Sequence, residues 1–113
     1  MQLQITGKNL DLTPALQDYI QKKIEPLQKY NTHIMDGKVT VEPVRVQHAE
    51  AFRVSARLHL EHDDVYTEET AGTAYAATDI VHYELERQLH DLKEKYEALH
   101  RKSGAAVRAM KSI

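Results

Sequence analysis

The chain has 113 residues, of which 42% are hydrophobic and 28% charged, with no cysteine and a formal net charge of −2. This length permits one domain with a modest core, and the lack of cysteine excludes disulfides and thiolate metal sites. The start has no basic region or apolar run, and no later run approaches about 18 apolar residues. We therefore expect a cytoplasmic protein that is neither secreted nor membrane-spanning.

The charge is unevenly distributed along the chain. All 17 acidic residues and 11 of the 15 basic residues lie in residues 1–100, so this part has a net charge of −6, whereas the last 13 residues carry +4. A nucleic-acid-binding protein usually has a positive body, so bulk charge argues mildly against that function. We predict a single domain of residues 1–101 followed by a flexible basic tail of residues 102–113.

The first predicted elements are a strand and a helix. Apolar and polar residues alternate over residues 1–6, which indicates a short strand with one buried face. Thr13 before Pro14 is a typical helix start, because threonine accepts a hydrogen bond from a free backbone N–H and proline needs none. The amphipathic helix is predicted to reach about Tyr30. Pro26 should kink or loosen its last turn, unless the helix stops just before it and restarts.

Three further strands are predicted in the middle of the chain. Residues 31–38 are expected to form a turn, and residues 39–42 a second strand whose far half Pro43 places at a sheet edge or bulge. The alternation over residues 52–61 is the clearest strand signal in the sequence. A tight connection then leads to a more polar strand over residues 65–71.

A long helix is predicted from Thr73 to about Arg101, without proline or glycine inside it. At about 1.5 Å per residue it is roughly 40 Å long, longer than packing of one small domain requires, so its outer face is the first place to look for function. Steps of three and four residues place its core-facing stripe at Ala74, Thr78, Val81, Leu85, Leu89, Leu92, Tyr96 and Leu99.

The predicted order is strand, helix, three strands, helix. Strands joined through a helix are normally parallel, and those joined by short turns are antiparallel. The first two strands are therefore predicted to be parallel and the other neighbours antiparallel, with both helices on one face of a four-stranded mixed sheet. This is a two-layer α+β sandwich. Its other face should stay in water and carry Gln2, Gln4, Thr40, Arg53, Ser55 and Arg57.

The sequence gives little support for catalysis or a metal site. His82, Glu86 and His90 lie on one side of the last helix at spacings of four, but no further ligand is evident and a solvated helix face has the same spacing. The sequence contains no nucleophile elbow, phosphate-cradling glycine loop or His-Glu-x-x-His motif. We therefore expect no enzyme activity, no cofactor, no metal and no small-molecule substrate.

Basic residues near both helices are candidates for nucleic-acid binding, although a solvated surface is the commoner explanation of such residues. Glu84, Arg87, Asp91 and Lys95 form a stripe of alternating sign, as solvent-facing helical ion pairs do. Lys23 is expected at the rim of the core, where its stem can pack. The candidates are Lys8, Lys22, Lys23, Lys29, Arg87, Lys93 and Lys95.

Several motifs together resemble the ribosome hibernation promoting factor family, which includes the translation inhibitor protein Y and was once described as sigma-54 modulation proteins. Each motif is weak alone, but their order over residues 1–100 is fairly specific. The motifs are Met1-Gln2-Leu3-Gln4-Ile5-Thr6-Gly7, Leu12-Thr13-Pro14-Ala15-Leu16, Leu27-Gln28-Lys29-Tyr30, Tyr75-Ala76-Ala77-Thr78-Asp79 and Leu85-Glu86-Arg87-Gln88-Leu89.

The resemblance implies the β-α-β-β-β-α fold of double-stranded RNA-binding domains. It also implies a stationary-phase or stress factor that binds ribosomal RNA of the small subunit in the 70S ribosome and inhibits translation by occupying the messenger and transfer RNA sites. By position, Lys8, Lys23, Lys29, Arg87 and Lys95 match basic places of the family, and Lys22 and Lys93 are added neighbours. The length favours the short class, which lacks an extra dimerisation domain.

Three residues depart from this family pattern. Pro26, Glu84 and Asp91 stand where the family usually has lysine or arginine, and the two acids should weaken phosphate contacts by repulsion. An alternative is therefore a protein-binding or self-associating module that kept the fold and lost the RNA face. It would use Ile80, Tyr83 and the open sheet face with Arg53 and Arg57.

Overall fold

The computed structural model describes the backbone of residues 1–30 and 33–111, and side chains as far as Leu99. The order of its elements confirms the predicted strand, helix, three strands and helix, with an additional 3-10 helix after the first α-helix. In chain order they are β1 (Gln2–Gly7), α1 (Pro14–Ile24), the 3-10 helix (Glu25–Tyr30), β2 (Ile34–Val46), β3 (Ala49–Leu60), β4 (Asp64–Ala71) and α2 (Ala74–Lys111).

The four strands form one sheet in the order β1-β2-β3-β4. Strand β1 is parallel to β2, and β3 is antiparallel to both β2 and β4. Helices α1 and α2 bury their apolar faces on the same side of this sheet, in a single core. The predicted two-layer α+β sandwich with a mixed sheet is therefore confirmed. The largest fully buried side chains of the core are those of Ile20, Ile24, Leu27, Leu58, Leu85 and Leu89.

Helix α1 begins as predicted and ends earlier. The Thr13 hydroxyl accepts a hydrogen bond from the backbone N–H of Leu16 at 3.1 Å, and Pro14 occupies the first turn. The α-helix ends at Ile24 and a 3-10 helix continues from Glu25 to Tyr30, so a continuous α-helix to Tyr30 was wrong and the alternative, a stop before Pro26 and a restart, is confirmed. Because Pro26 has no N–H and its ring crowds the preceding turn, the chain continues in the tighter 3-10 form.

Strand β2 begins inside the predicted turn. Residues 31 and 32 lie outside the described part of the chain, but β2 starts at Ile34, with a register shift between Ile34 and Asp36. Asp36-Gly37 is typical of turns, yet here it is paired in the sheet. A Cβ on Gly37 would lie 2.8 Å from one leucine side chain and 3.1 Å from another, so the glycine is needed for packing.

The far half of β2 is an edge, as predicted. Strand β1 pairs with β2 only as far as Val41, so Pro43 lies where one side of β2 has no neighbour and a missing N–H costs no ladder bond. The hairpin to β3 turns at Gln47 and His48, whose φ angles are 50° and 67°. Positive φ at two non-glycine residues is a strained conformation that the pairing of the two long strands maintains.

Helix α2 extends beyond its predicted end. Its backbone is helical through Lys111, not only to Arg101, and it outruns the sheet. For this reason the last positions of the predicted core stripe are not buried: Tyr96 is 38% and Leu99 50% exposed. The earlier positions, Ala74 to Leu89, are buried as predicted. The flexibility of the predicted basic tail, residues 102–113, stays a prediction, and residues 112 and 113 lie outside the described chain.

The glycine that ends β1 provides a test of this packing. A Cβ on Gly7 would overlap the backbone carbonyl of Leu10, whereas a Cβ on Gly72 would meet no atom within 4 Å. We expect Gly7→Ala to lower the free energy of unfolding by about 1–3 kcal/mol, because the loop must move. Gly72→Ala, the matched control, should be neutral or slightly stabilising. Urea unfolding of both variants measures this, and equal stabilities would contradict it.

Candidate RNA-binding surface

A polar cluster joins α1 to α2 beside the core. The Tyr19 hydroxyl donates a hydrogen bond to Asp79 Oδ1, and Lys23 Nζ lies 3.4 Å from the same oxygen. The Tyr19 ring also contacts Tyr75 edge-on, with centroids 5.0 Å apart, and Lys23 lies 5.7 Å from the Tyr19 centroid. The side chain of Lys23 is 38% exposed, which agrees with the predicted position at the core rim.

The contacts of this cluster alter two acid–base equilibria. The hydrogen bond from Tyr19 lowers the pKa of Asp79, and Lys23 lowers it further. The same hydrogen bond to Asp79 raises the pKa of Tyr19, because it favours the protonated phenol. Lys23 is therefore held by a carboxylate between the helices, which reduces the positive charge it presents to a partner.

This cluster makes stability depend on pH. A carboxyl whose pKa is lower in the folded state adds stability above its unfolded pKa, and this contribution is lost as pH falls through the folded pKa. Asp79→Asn should therefore destabilise the protein at pH 6, and this difference should shrink as pH falls through the lowered folded-state pKa of Asp79, where the carboxyl loses its charge. Urea unfolding of wild type and variant across this range measures the difference. A constant difference would contradict the assigned role of the Asp79 charge.

Arg87 is also held by carboxylates. Its guanidinium lies 2.8 Å from Glu84 and 3.4 Å from Asp91, one turn away on either side along α2. The hydrogen bond with Glu84 raises the pKa of Arg87, and Asp91 adds to this. These are the helical ion pairs that the alternating stripe predicted. The two acids that depart from the family pattern thus bind the arginine expected to contact RNA.

Two further candidates have carboxylates near them. Lys22 Nζ lies 2.8 Å from Asp18, one turn earlier on α1, and this hydrogen bond raises the pKa of Lys22. Lys8, after β1, lies 3.9 Å from Glu42, a distance at which the two charges attract without a short hydrogen bond. Both lysine side chains remain mostly exposed, so a partner with stronger charge can still reach them.

Three candidates have no ion-pair partner within the described chain: Lys29, Lys93 and Lys95. Lys29 lies 5.1 Å from the ring centroid of neighbouring Tyr30. Lys93 follows Asp79 by 14 residues, almost four helical turns, so it lies on the α1 side of α2. Lys95 lies on the opposite side, in a groove that Asp64 and Asp91 also line, although neither carboxylate is within ion-pair distance of it. These three lysines therefore share the helical layer but do not form one cluster.

The open face of the sheet carries basic residues as well. Arg53 lies 3.3 Å from Glu42 and 3.2 Å from Glu68, so its charge is compensated. Arg57 instead lies 5.5 Å from the ring centroid of Tyr66, and no described carboxylate pairs with it. Lys38, opposite Arg57 in the register, was absent from the sequence-based candidates because only strand pairing reveals its neighbours.

Two other expectations concern metals and membranes. His82 lies 3.5 Å from Glu86, and the described group of possible metal-ligating atoms within 4.8 Å consists of His90, Asp91 and Glu94. All three residues are exposed and come from a single helix, which is also the pattern of solvated ion pairs. Among the described residues, no helix is long and apolar enough to cross a membrane.

Its four-stranded sheet, its layer of two helices and the exposed cations on these helices place the protein among small two-layer α+β domains with a basic helical surface. Within this class, the chain belongs to the Sigma 54 modulation protein / S30EA ribosomal protein family, whose model matches residues 3–97. The resemblance predicted from the motifs is therefore confirmed. The expectation that the chain is a non-enzymatic regulatory protein is confirmed by this membership.

Relatives and solved structures support the same family. A ribosome hibernation promoting factor of Azotobacter vinelandii is 35% identical over 84% of this chain and 85% of that protein. A ribosome hibernation promotion factor of Deinococcus radiodurans is 32% identical over 82% of this chain, which spans only 49% of that longer protein. The N-terminal domain of Thermus thermophilus protein Y has a TM-score of 0.69 and 28% identity, over 81% of this chain and 99% of that one.

A second solved structure shows the fold alone. A ribosomal subunit interface protein of Coxiella burnetii has a TM-score of 0.71 at 24% identity, over 87% of this chain and 99% of that chain. This chain covers 99% of each of the two solved structures, so the fold described here is that of the family.

Proposed function

We propose that this protein is a ribosome hibernation factor that inhibits translation in the cytoplasm during stress or stationary phase. It binds the small ribosomal subunit, free or in the 70S ribosome, through ribosomal RNA, and it blocks the messenger and transfer RNA sites. The observation that supports this most directly is the set of uncompensated cations on the helical layer, Lys29, Lys93 and Lys95, in a chain of this family.

The proposed binding depends on the attraction between lysines and RNA phosphates and on the shape of the folded RNA. Lysines that approach phosphates release condensed counterions, which gives affinity without sequence specificity. The spacing of Lys29, Lys93 and Lys95 on different sides of the helical layer suits several backbone segments of folded RNA better than one straight duplex. Inhibition then requires no chemistry, because a bound domain excludes messenger and transfer RNA by its volume.

The internal ion pairs set the strength of this proposed binding. Lys22, Lys23 and Arg87 each contact a carboxylate, so an RNA phosphate must compete with that carboxylate for the same donor groups. Phosphate contacts at these three side chains are therefore weaker than at the three uncompensated lysines. We expect the protein to bind less tightly, and to be released at lower salt, than a relative with lysine or arginine at Glu84 and Asp91.

A protein-binding module remains the second candidate, favoured by two exposed apolar residues on the outer face of α2. Ile80 is 40% and Tyr83 63% exposed, as the sequence predicted. These residues would support an apolar interface, whose strength depends little on salt. Arg53, also assigned to that interface, is already compensated by two carboxylates, which weakens this alternative.

Co-sedimentation with purified small subunits and with 70S ribosomes tests the proposed function. The protein should sediment with both at low salt and be released progressively at moderate salt. Addition of messenger RNA and initiator transfer RNA beforehand should reduce binding. Protein that stays at the top of the gradient at low salt would contradict the proposal, and binding unaffected by salt would favour the apolar interface.

A further inference from the structure

A row of exposed side chains crosses the open face of the sheet, opposite the helices. Lys38 on β2 pairs in register with Arg57 on β3, which pairs with Tyr66 on β4. Their neighbours in sequence, such as Val39 and Val65, are buried, so alternation places all three side chains on the open face. The three strands thus bring two cations and one aromatic ring side by side.

Arg57 differs from Arg53 on the same face in how it is held. Arg53 contacts two carboxylates, whereas Arg57 lies 5.5 Å from the centroid of the Tyr66 ring. A ring orders the guanidinium but does not neutralise it, and it leaves the N–H groups free for an oxygen ligand. The side chain of Arg57 is therefore positioned for an anion, while that of Arg53 is occupied.

The row borders a groove of about 190 Å³ whose walls are part polar and part apolar. The hydroxyl-bearing residues Thr40 and Ser55 line it together with Lys38, Arg57 and Tyr66. Thus the groove combines two cations and two hydroxyl groups, which are donors suited to phosphate oxygens, with a tyrosine that is 47% exposed. No described carboxylate lines this groove or pairs with its two cations.

We propose that this groove binds a phosphate of single-stranded RNA, with a neighbouring base against the Tyr66 ring. Single strands suit it because their bases are free to stack on an aromatic side chain, and stacking with a basic groove is a common way to bind them. Carboxylates limit the site on both sides: Glu42 and Glu68 lie around Arg53, and Asp64 lies 2.8 Å from His59. The footprint is therefore one or two nucleotides.

This inference rests on the proposed function only in that the RNA belongs to the ribosome. The site lies on the opposite face from the helical lysines, so the domain would contact RNA on both sides. A single-stranded segment reaching the open face would hold the bound domain in place while the helices contact structured RNA. Arg57→Ala should then weaken ribosome binding by about tenfold and lower the salt dependence by about one counterion.

The test uses NMR titration of the whole chain with hexauridylate, and separately with inorganic phosphate and hexaglutamate. With hexauridylate, we expect amide shifts at Thr40, Ser55, Arg57 and Tyr66. Arg57→Ala should weaken this binding about tenfold, and Tyr66→Phe should preserve it because the ring remains. Arg53→Ala is the matched control: it removes one arginine from the same face and should leave the shifts unchanged.

The outcomes separate this inference from the proposed function. Shifts confined to the helices, or equal losses in Arg57→Ala and Arg53→Ala, would overturn the inference while leaving ribosome binding by the helices untouched. Equal binding of hexaglutamate and hexauridylate would assign the groove to acidic peptides and also overturn it. Specific shifts with hexauridylate in a protein that fails to co-sediment with ribosomes would support the groove and reject the proposed function.

Discussion

Reversing the charge of Lys93 and Lys95 together should reduce affinity for the small subunit on the order of 100-fold at low salt. Both lysines are exposed and have no described carboxylate within ion-pair distance, so their ammonium groups are available to phosphates. The Lys93→Glu/Lys95→Glu variant replaces two attractive charges with two repulsive ones, and the salt dependence should fall by about two counterions. Co-sedimentation across a salt series measures both quantities.

Arg45→Glu is the control for these charge changes. It reverses one charge, so its affinity is compared with that of the single variants Lys93→Glu and Lys95→Glu. Arg45 is exposed and lies close to the β2–β3 hairpin. This hairpin is at the same end of the sheet as the start of α2, because Phe52 near the hairpin pairs with Ala71 just before that helix. Lys93 is about 19 residues into α2, roughly 28 Å along the helix axis. Arg45→Glu should change binding only slightly. An equal loss from Arg45→Glu would show that only net charge matters and that the helical surface is not the interface.

Neutralising Glu84 and Asp91 should have the opposite effect. In the Glu84→Gln/Asp91→Asn variant, Arg87 loses the two carboxylates at 2.8 Å and 3.4 Å and becomes free to contact a phosphate. The repulsion between the two acids and RNA also disappears. We expect binding to ribosomes to strengthen at least tenfold, with the salt dependence raised by about one counterion.

A third substitution shows whether Arg87 is the cause of this gain. Adding Arg87→Gln to the Glu84→Gln/Asp91→Asn variant should remove most of the increase in affinity, while the part due to lost repulsion remains. Unchanged affinity in the double variant would mean that Arg87 does not face RNA. In that case the departures from the family pattern would mark a change of partner.

Elements with a strong hydrophobic period were predictable from the sequence. Strand β3 alternates without interruption from Phe52 to Leu60, and α2 repeats apolar residues at steps of three and four positions, so side-chain burial alone dictates both. Parallel pairing of β1 with β2 followed from the helical connection between them. The bounds were less predictable because they depend on packing between elements, as Gly37 and the exposed Tyr96 and Leu99 illustrate.

The β2–β3 hairpin gave no usable sequence signal. Its two central residues, Gln47 and His48, have positive φ although neither is typical of such turns, where asparagine and glycine prevail. The long ladder of β2 and β3, which includes the pair Val41 and Val54, fixes the register of the two strands. The turn residues therefore adopt the backbone conformation that connects the strand ends. The 3-10 helix was only half predictable, since Pro26 marks a break in α1 but does not specify the conformation of the residues after it.

The candidate site was predictable where its contacts are local. The spacing of Lys22 from Asp18, and of Arg87 from Glu84 and Asp91, places each pair one turn apart on a helix. The contact of Lys23 with Asp79 joins residues that are 56 positions apart in the sequence and lie on different helices, so no local pattern indicates it. The row on the open face likewise requires the register of three strands, which is why Lys38 and Tyr66 were missed.

We propose that the helical layer faces small-subunit ribosomal RNA at the messenger and transfer RNA sites. Because the chain contains no cysteine, Glu97→Cys introduces a single thiol at an exposed position of α2 near Lys93. A hydroxyl-radical source attached to this thiol should cleave small-subunit RNA that borders these sites, provided that the labelled protein still binds ribosomes as the wild type does. If the labelled protein still co-sediments with ribosomes but cleaves only RNA remote from these sites, this orientation of the helical layer is contradicted.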